Sequence, residues 1–207
     1  MSSISPLLFI VSGPSGSGKR TVMQHVGKAF PSLRRVPTYT TRQPRTNEVP
    51  GVDYNFISEE LFLAKLASGE IFECSRNHGA YYYGSPSVLL KSEDTAPLIV
   101  EMDYKGMFRL RASSQRRVVS LFLVPPLGRE LQQRIELRSE VDNLEARLNN
   151  GLHEMQFAWA YDYVLINEEL DRFLADAEHA VGGEVVKQAG LQMLLDRRHE
   201  YDHTLVK

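Results

Sequence analysis

The chain has 207 residues, of which 43% are hydrophobic, so it is long enough to bury a substantial core. It carries 24 Lys and Arg against 26 Asp and Glu. The resulting net charge of −2 excludes the strong overall field that would draw a protein to nucleic acid or to an anionic membrane. Cys74 is the only cysteine, so no intrachain disulfide can form, and the first residues have the character of neither a signal peptide nor a membrane span. We expect a cytoplasmic protein that binds anions locally.

A glycine-rich loop follows the first apolar run. Residues 7–11, Leu-Leu-Phe-Ile-Val, predict a buried strand, and the loop after it precedes a helical pattern. Glycines let the backbone aim its N–H groups at an anion, a lysine reaches terminal phosphates, and the helix N-terminus adds positive potential. We therefore expect a nucleotide-phosphate site made of Gly13, Pro14, Ser15, Gly16, Ser17, Gly18, Lys19, Arg20 and Thr21.

The residue after Lys19 departs from the usual pattern of such loops. Ser or Thr normally stands there, and its hydroxyl binds Mg²⁺. Arg20 has no lone pair to offer a cation, and Thr21 is turned by about a quarter of a helical turn from that position. The sequence thus supports nucleotide binding better than direct coordination of magnesium by the protein.

Further along the chain, apolar runs alternate with helical patterns. A helix after the loop is expected to end at Pro31, and runs at residues 97–103, 118–124 and 163–167 are typical of buried parallel strands in an α/β sheet. Residues 35–90 differ, because they are rich in Thr, Arg, Tyr, Gly and Pro and contain one amphipathic helix after Ser58. We interpret them as an inserted subdomain that faces the glycine-rich loop.

This insert contains a second group of residues suited to anions. Residues 38–45 combine hydroxyl groups with the guanidinium groups of Arg42 and Arg45, and residues 53–56 and 81–85 add phenols. Arginine forks bind phosphate oxygens bidentately, and tyrosine hydroxyls complete such a site without adding charge. The sequence therefore predicts two anion sites.

Taken in order, these motifs resemble those of guanylate kinases from about Pro6 to Val181. The matching segments are the glycine-rich loop and residues 40–45, 51–56, 71–73, 83–85, 100–103, 122–126 and 166–171. The resemblance implies an α/β fold with a P-loop NTPase-type three-layer core, a parallel sheet, an inserted nucleoside-monophosphate-binding subdomain and a helical lid. It places the core at residues 1–34 and 96–183, the insert at 35–95, the lid at about 134–150 and a tail at 184–207.

The resemblance also assigns an acceptor site for GMP. Arg42, Arg45, Tyr54 and Tyr83 match the residues that hold the phosphate of GMP, and Glu73 matches the residue that recognises the base. Guanine presents N1–H and N2–H donors side by side, and one carboxylate can accept both, whereas adenine has an acceptor at N1. The remaining matched guanine contacts are Thr38, Ser85 and Asp103.

On the donor side, the resemblance implies ATP bound by the glycine-rich loop. Lys19 with the lid arginines Arg134, Arg138 and Arg147 would surround the transferring phosphoryl group, and Asn167 would lie near the adenine. We expect Mg²⁺ to enter with ATP and to be held by ATP oxygens and water, with Glu101 or Asp103 acting through water. No residue is expected to coordinate the metal directly.

Alternatives remain for single residues and for the whole chain. Arg42, Arg45 and the lid arginines could be solvated surface residues, Glu73 could be a polar residue on a strand face, and Tyr81 and Tyr82 are expected to serve in strand packing. Other departures from the resembling enzymes are Glu101 in place of aspartate, Cys74 in place of an aromatic residue and a shorter lid.

The competing functions are a noncatalytic guanylate-kinase-like interaction module and a kinase for a sugar phosphate. Retention of Lys19 argues against the module, and retention of Glu73 argues against the sugar kinase. We expect Gly182-Gly183 to break the final helix. The apolar residues of the tail could then pack on the domain or form a homodimer.

Overall fold

The computed structural model describes residues 4–77, 81–126 and 144–197, without the side chains of residues 77 and 144–148. The strands are β1 (Leu7–Ser12), β2 (Arg34–Arg35), β3 (Thr38–Thr40), β4 (Tyr54–Phe56), β5 (Ile71–Asn77), β6 (Tyr81–Pro86), β7 (Leu98–Glu101), β8 (Arg117–Val124) and β9 (Tyr163–Ile166). The helices are α1 (Lys19–Ala29), α2 (Glu59–Ala67), α3 (Tyr104–Ser113), α4 (Leu144–Met155) and α5 (Leu170–Asp196).

A parallel sheet in the order β2-β7-β1-β8-β9 forms the centre of the molecule. Every residue of β1 is buried, because helices cover both faces of the sheet. Helices α1 and α5 share one apolar cluster with Phe9, and α3 shares another with Ile10 on the opposite face. The predicted three-layer α/β core with a parallel sheet is therefore confirmed. The sequence analysis missed β2, whose two arginines carry no apolar signal.

A second sheet has the order β4-β3-β6-β5. Strands β3 and β4 are parallel, whereas β6 runs antiparallel to both β3 and β5. Helix α2 covers this sheet with Phe62, which is fully buried and stacks on Tyr82 at a centroid distance of 5.3 Å. Ser58 begins the helix, since its side chain accepts a hydrogen bond from the Leu61 N–H at 3.2 Å. The predicted helix after Ser58 is thus confirmed.

The expectation that Gly182-Gly183 breaks the final helix is wrong. Helix α5 runs without interruption from Leu170 to Asp196. A glycine inside a helix costs only about 1 kcal/mol relative to alanine, which tertiary packing readily offsets. Here that packing comes from Phe173, Ala177 and Val181, which are buried in the core.

The topology brings the glycine-rich loop and the second sheet together. The loop leaves the carboxyl end of β1, and the chain enters the second sheet from the carboxyl end of β2, which lies in the same parallel sheet. In parallel sheets, ligands bind at this edge, because loops from adjacent strands converge there. The fold therefore places the two predicted anion sites side by side.

Candidate active site

The glycine-rich loop has a backbone that only glycine can supply. Gly13, Gly16 and Gly18 have φ angles of 141°, 85° and 98°. A Cβ atom on Gly13 would lie 2.3 Å from the Leu123 carbonyl oxygen, and one on Gly18 would lie 2.7 Å from Nδ2 of Asn167. The loop therefore curls as the sequence predicts, and larger residues would disrupt it.

Lys19 and Asn167 stabilise the loop from two sides. The Lys19 ammonium donates to the carbonyl oxygens of Gly13 at 2.5 Å and Pro14 at 3.0 Å, and it lies 3.8 Å from Oε1 of Glu101. Asn167 is 3% exposed and donates from Nδ2 to the Ser17 carbonyl oxygen at 3.0 Å. Asn167 thus holds the loop directly.

The arginines that are predicted to bind the acceptor, Arg42 and Arg45, both contact Glu48, a carboxylate that no sequence motif indicated. Glu48 accepts two hydrogen bonds of 2.9 Å from Nη1 and Nη2 of Arg42, and one of 2.8 Å from the Arg45 backbone N–H. Burial raises the pKa of Glu48, but these hydrogen bonds outweigh it and lower the pKa overall. Arg42 also donates from Nε to the Tyr83 hydroxyl at 3.1 Å. Nη1 donates in addition to the Gln43 carbonyl oxygen at 2.7 Å, so the Arg42 guanidinium is fixed from several sides.

Tyr54 lies beside these arginines. Its ring meets the Tyr83 ring edge-on at 6.1 Å, and the Arg42 guanidinium lies 5.5 Å from its centroid. Burial, followed by the nearby charge of Glu101, raises the pKa of Tyr54 well above its usual value. The ring of Tyr54 thus forms part of the half-buried surface next to Arg42.

The predicted base-recognition residues form a buried cluster. Glu73 is 7% exposed and accepts a 2.6 Å hydrogen bond from the Ser85 hydroxyl through Oε1. Arg109 Nη1 lies 3.7 Å from Oε2 of Glu73. Burial raises the pKa of Glu73, and the Asp103 charge adds to this, while Ser85 and Arg109 oppose it. Asp103 also begins α3, because its Oδ1 accepts from the Gly106 N–H at 2.9 Å.

Two adjoining cavities are lined by many of these groups. One, of about 430 Å³, is lined by the loop together with Arg20, Arg35, Arg45 and Asp53. The other, of about 200 Å³, is lined by Thr38, Glu73, Tyr83, Ser85 and Asp103 among others. Both include Ser15, Lys19, Tyr54 and Glu101, so the loop lysine lies at their junction.

Comparison with known proteins agrees with this geometry. Residues 5–184 match the family model described as guanylate kinase. The chain belongs to the guanylate kinase family. It is 34% identical over 181 residues to guanylate kinase of Geobacter metallireducens, covering 86% of this chain and 89% of that protein. It is also 34% identical over 187 residues to guanylate kinase of Brucella melitensis, covering 88% of this chain and 84% of that protein.

A solved structure supports the same assignment. The crystal structure of guanylate kinase from Anaplasma phagocytophilum superposes with a TM-score of 0.72 at 27% identity, covering 89% of this chain and 88% of that chain. Members of the guanylate kinase family are nucleoside monophosphate kinases, and the P-loop fold agrees with this class of enzyme.

The guanylate kinase lid is described only in part. Arg134 and Arg138 lie outside the described residues, and Arg147 lies in α4 at a position whose side chain is not described. The end of α4 contacts the loop, because a Cβ atom on Gly151 would lie 3.1 Å from Cβ of Pro14. Glu154, which the sequence analysis missed, lines the smaller cavity, and burial raises its pKa.

The guanidinium of Arg20 has no lone pair with which to coordinate a metal ion at the position after Lys19. Among the described residues, no group of three or more His, Cys, Asp or Glu side chains could hold a metal ion. Arg20 occupies the usual ligand position, and its Nη2 lies 3.2 Å from Oδ2 of Asp53.

None of the helices in the described part of the chain is long and apolar enough to cross a membrane.

Proposed function

We propose that the chain transfers the γ-phosphoryl group of ATP to GMP, which yields ADP and GDP. The observation that carries the proposal is the buried Glu73–Ser85 pair in a cavity that adjoins Lys19. A nucleotide base in that cavity would place its phosphate toward the loop that binds the second nucleotide. The distance between the two substrates is then set by the fold.

Glu73 gives the cavity its preference for guanine. Its carboxylate accepts from both N1–H and N2–H of guanine, and the Ser85 hydroxyl holds it in place. Adenine would leave a buried carboxylate facing the N1 acceptor, which is costly in a water-poor site. Thr38 and Asp103, which line the same cavity, supply further polar contacts.

Phosphoryl transfer then depends mainly on position and charge. Arg42, Arg45, Tyr54 and Tyr83 hold the GMP phosphate, and one of its oxygens attacks the γ-phosphorus of ATP. The bond to the oxygen bridging the β- and γ-phosphates breaks, and ADP leaves. Lys19 neutralises charge on the phosphates, and the family resemblance assigns the same role to Arg134, Arg138 and Arg147. Asn167 supports the ATP side by fixing the loop.

Mg²⁺ enters with ATP in this proposal and is held by ATP oxygens and water. Glu101, on the wall shared by both cavities, and Asp103, which lines the smaller one, would contact the hydrated metal ion through water. We place the protein in the cytoplasm, where ATP and GMP are available and where its lone cysteine would stay reduced.

Two other functions are less well supported. A noncatalytic interaction module has no need for Lys19 and the glycine geometry of a phosphate loop, both of which are intact. A sugar phosphate offers no pair of N–H donors to Glu73, so a sugar kinase leaves the buried carboxylate unexplained.

Replacement of Glu73 by Gln tests the proposal. The Gln amide places an N–H₂ group against guanine donors, and an unsatisfied buried donor costs about 1–3 kcal/mol. The ratio of kcat/KM for GMP to that for AMP should therefore fall roughly tenfold or more. Glu70→Gln is the matched control, because Glu70 is an exposed glutamate that binds Lys65 and Tyr39 at the surface. An unchanged ratio in Glu73→Gln would remove Glu73 from the base site.

A further inference from the structure

Asp53 is a buried carboxylate that joins the glycine-rich loop to the second sheet. It is 5% exposed and accepts a 2.9 Å hydrogen bond from the Val49 N–H through Oδ2. Arg20 Nη2 lies 3.2 Å from Oδ2, and Arg35 Nη1 lies 3.2 Å from Oδ1. Burial of a carboxylate is costly unless it is paired, so these two arginines stabilise Asp53 in its position.

The two arginines belong to the central core. Arg20 is in the first turn of α1, directly after the loop lysine, and Arg35 is in β2 at the edge of the parallel sheet. Asp53 directly precedes β4, which belongs to the second sheet. The ion pairs therefore cross from the unit that holds the ATP loop to the unit that holds the GMP residues.

The residue after Asp53 is part of the acceptor site. Tyr54 pairs with Thr38 in the β3–β4 register, and its ring contacts Tyr83 and lies beside the Arg42 guanidinium. A shift of Asp53 would move the Tyr54 backbone and, through it, the wall against which the GMP phosphate binds.

Arg20 also has a donor that the protein does not use. Its Nε is buried and has no hydrogen-bond partner among the described residues, although its guanidinium lines the larger cavity. The side-chain contact that fixes Arg20 is therefore its ion pair with Asp53, in a position where a phosphate-loop hydroxyl is normally found.

We propose that Arg20 is a positioning residue for the acceptor, because it holds Asp53 and thereby preorganises Tyr54 and Arg42 before either nucleotide binds. This inference rests on the proposed function of the same site. It has an unusual consequence, since a residue of the ATP-binding loop then controls the affinity for GMP more than the affinity for ATP.

Equilibrium binding separates this role from others. Calorimetric titration of GMP without ATP, and of ATP without GMP, is carried out on wild type, Arg20→Ala and Arg20→Lys. We expect the Kd for GMP to rise about fivefold or more in Arg20→Ala, by a larger factor than the Kd for ATP, as for a typical coupling between two sites. Arg20→Lys should recover part of the loss. Arg34→Ala is the matched control, because Arg34 forms an exposed ion pair with Asp94 outside both cavities, and it should leave both constants unchanged.

An Asp53→Asn background distinguishes positioning from simple attraction between Arg20 and the GMP phosphate. If Arg20 acts through Asp53, Arg20→Ala should add little once Asp53 has lost its charge, whereas a direct electrostatic effect would persist in full. Thermal unfolding of each variant identifies those that fold. If Asp53→Asn does not fold, the comparison of GMP and ATP binding in Arg20→Ala and Arg20→Lys still decides the proposal.

Two results overturn the inference. One is a larger loss of ATP affinity than of GMP affinity in Arg20→Ala, and the other is an undiminished Arg20→Ala effect in the Asp53→Asn background. Wild-type turnover of GMP is measured alongside these titrations. Its absence would contradict the proposed function, whereas normal turnover with GMP binding that is insensitive to Arg20 would contradict only the role of Arg20.

Discussion

Arg42 is held on three sides before any phosphate is present. Glu48 binds both of its terminal nitrogens, Tyr83 accepts from Nε, and Tyr54 lies beside the guanidinium. A side chain fixed in this way loses little entropy when it binds a dianion. Glu48 also offsets part of the positive charge of the site, so that Arg42 and Arg45 can lie close together.

The first prediction concerns Arg42→Ala. Loss of one charge-assisted pair costs about 1.5–3 kcal/mol, so kcat/KM for GMP should fall roughly ten- to a hundredfold. The KM for ATP should change little, because Lys19 and the loop are untouched. Arg172→Ala, at an arginine whose side chain is 81% exposed, serves as the control. GMP kinetics like those of wild type would show that Arg42 does not touch the acceptor.

The second prediction concerns pH. Burial, reinforced by Asp103, raises the pKa of Glu73, and guanine recognition requires the ionised carboxylate. The KM for GMP should therefore rise as the pH falls through this raised pKa, at a higher pH than an ordinary glutamate would give. The free energy of unfolding should decrease as the pH rises from the pKa of Glu73 in the unfolded chain through its higher pKa in the folded protein. Folding is therefore favoured at the low pH at which GMP binding is weakened.

Glu73→Gln is the control for this pH dependence. It retains any effect of protonating the GMP phosphate itself but lacks the titrating carboxylate. The difference between wild type and Glu73→Gln in the pH dependence of the KM for GMP is therefore caused by titration of Glu73. Identical profiles in wild type and Glu73→Gln would contradict the assignment.

At the residue level, the side chains that belong to a recognisable motif could be predicted from the sequence, but the residues that contact them could not. The geometry of Gly13, Gly16 and Gly18 follows from spacing, because a phosphate loop requires positive φ angles at such positions. Glu48 and Arg35 stand in no motif of that kind. The contact of Arg35 with Asp53 exists only after folding joins the two sheets, and that of Glu48 with Arg42 depends on the turn of the loop between them.

Among the elements, the buried strands were the most predictable. Runs such as residues 118–124 are apolar because both faces of the sheet are covered, and this pattern is visible in the sequence. The short strand β2 could not be predicted in this way, since it consists of two arginines and joins the sheet through backbone hydrogen bonds alone. Helix α5 shows the opposite error, because two glycines suggested a break that core packing overrides.

The third prediction tests α5 with a matched pair of substitutions. Nothing lies within 4 Å of a Cβ atom on Gly183, so Gly183→Ala should raise the free energy of unfolding by about 0.5–1 kcal/mol. At Gly182, a Cβ atom would lie 3.1 Å from Cζ of Phe30, so Gly182→Ala should gain less or lose stability. Urea unfolding measures both. Destabilisation by Gly183→Ala would indicate that α5 does not continue through this position.

On the scale of the whole molecule, α5 carries apolar side chains beyond the core. Val186, Leu191, Met193 and Leu194 are exposed, with Val186 at 71%. Association of two chains through this tail stays a prediction, which sedimentation velocity can check. The exposure of these four side chains shows that they pack little against the described part of the domain.

The proposed selectivity depends on both sheets. Lys19 follows the loop that leaves the parallel sheet, Glu73 belongs to the second sheet, and the cavities that contain them share Lys19, Tyr54 and Glu101. An acceptor that lacks either the guanine donors or the phosphate would lose half of the contacts of this proposed arrangement. Selectivity should therefore be a property of the complete molecule.

The most direct measurement is ATP-dependent ADP release with a panel of acceptors that contains GMP, AMP, CMP, UMP and a sugar phosphate. The account predicts rapid release with GMP, formation of GDP in equal amount, and much slower release with every other acceptor. Release that is no faster with GMP than without an acceptor, from a protein that still binds ATP, would contradict it and favour a noncatalytic module. Preference for the sugar phosphate would contradict the role of Glu73 in recognising the base.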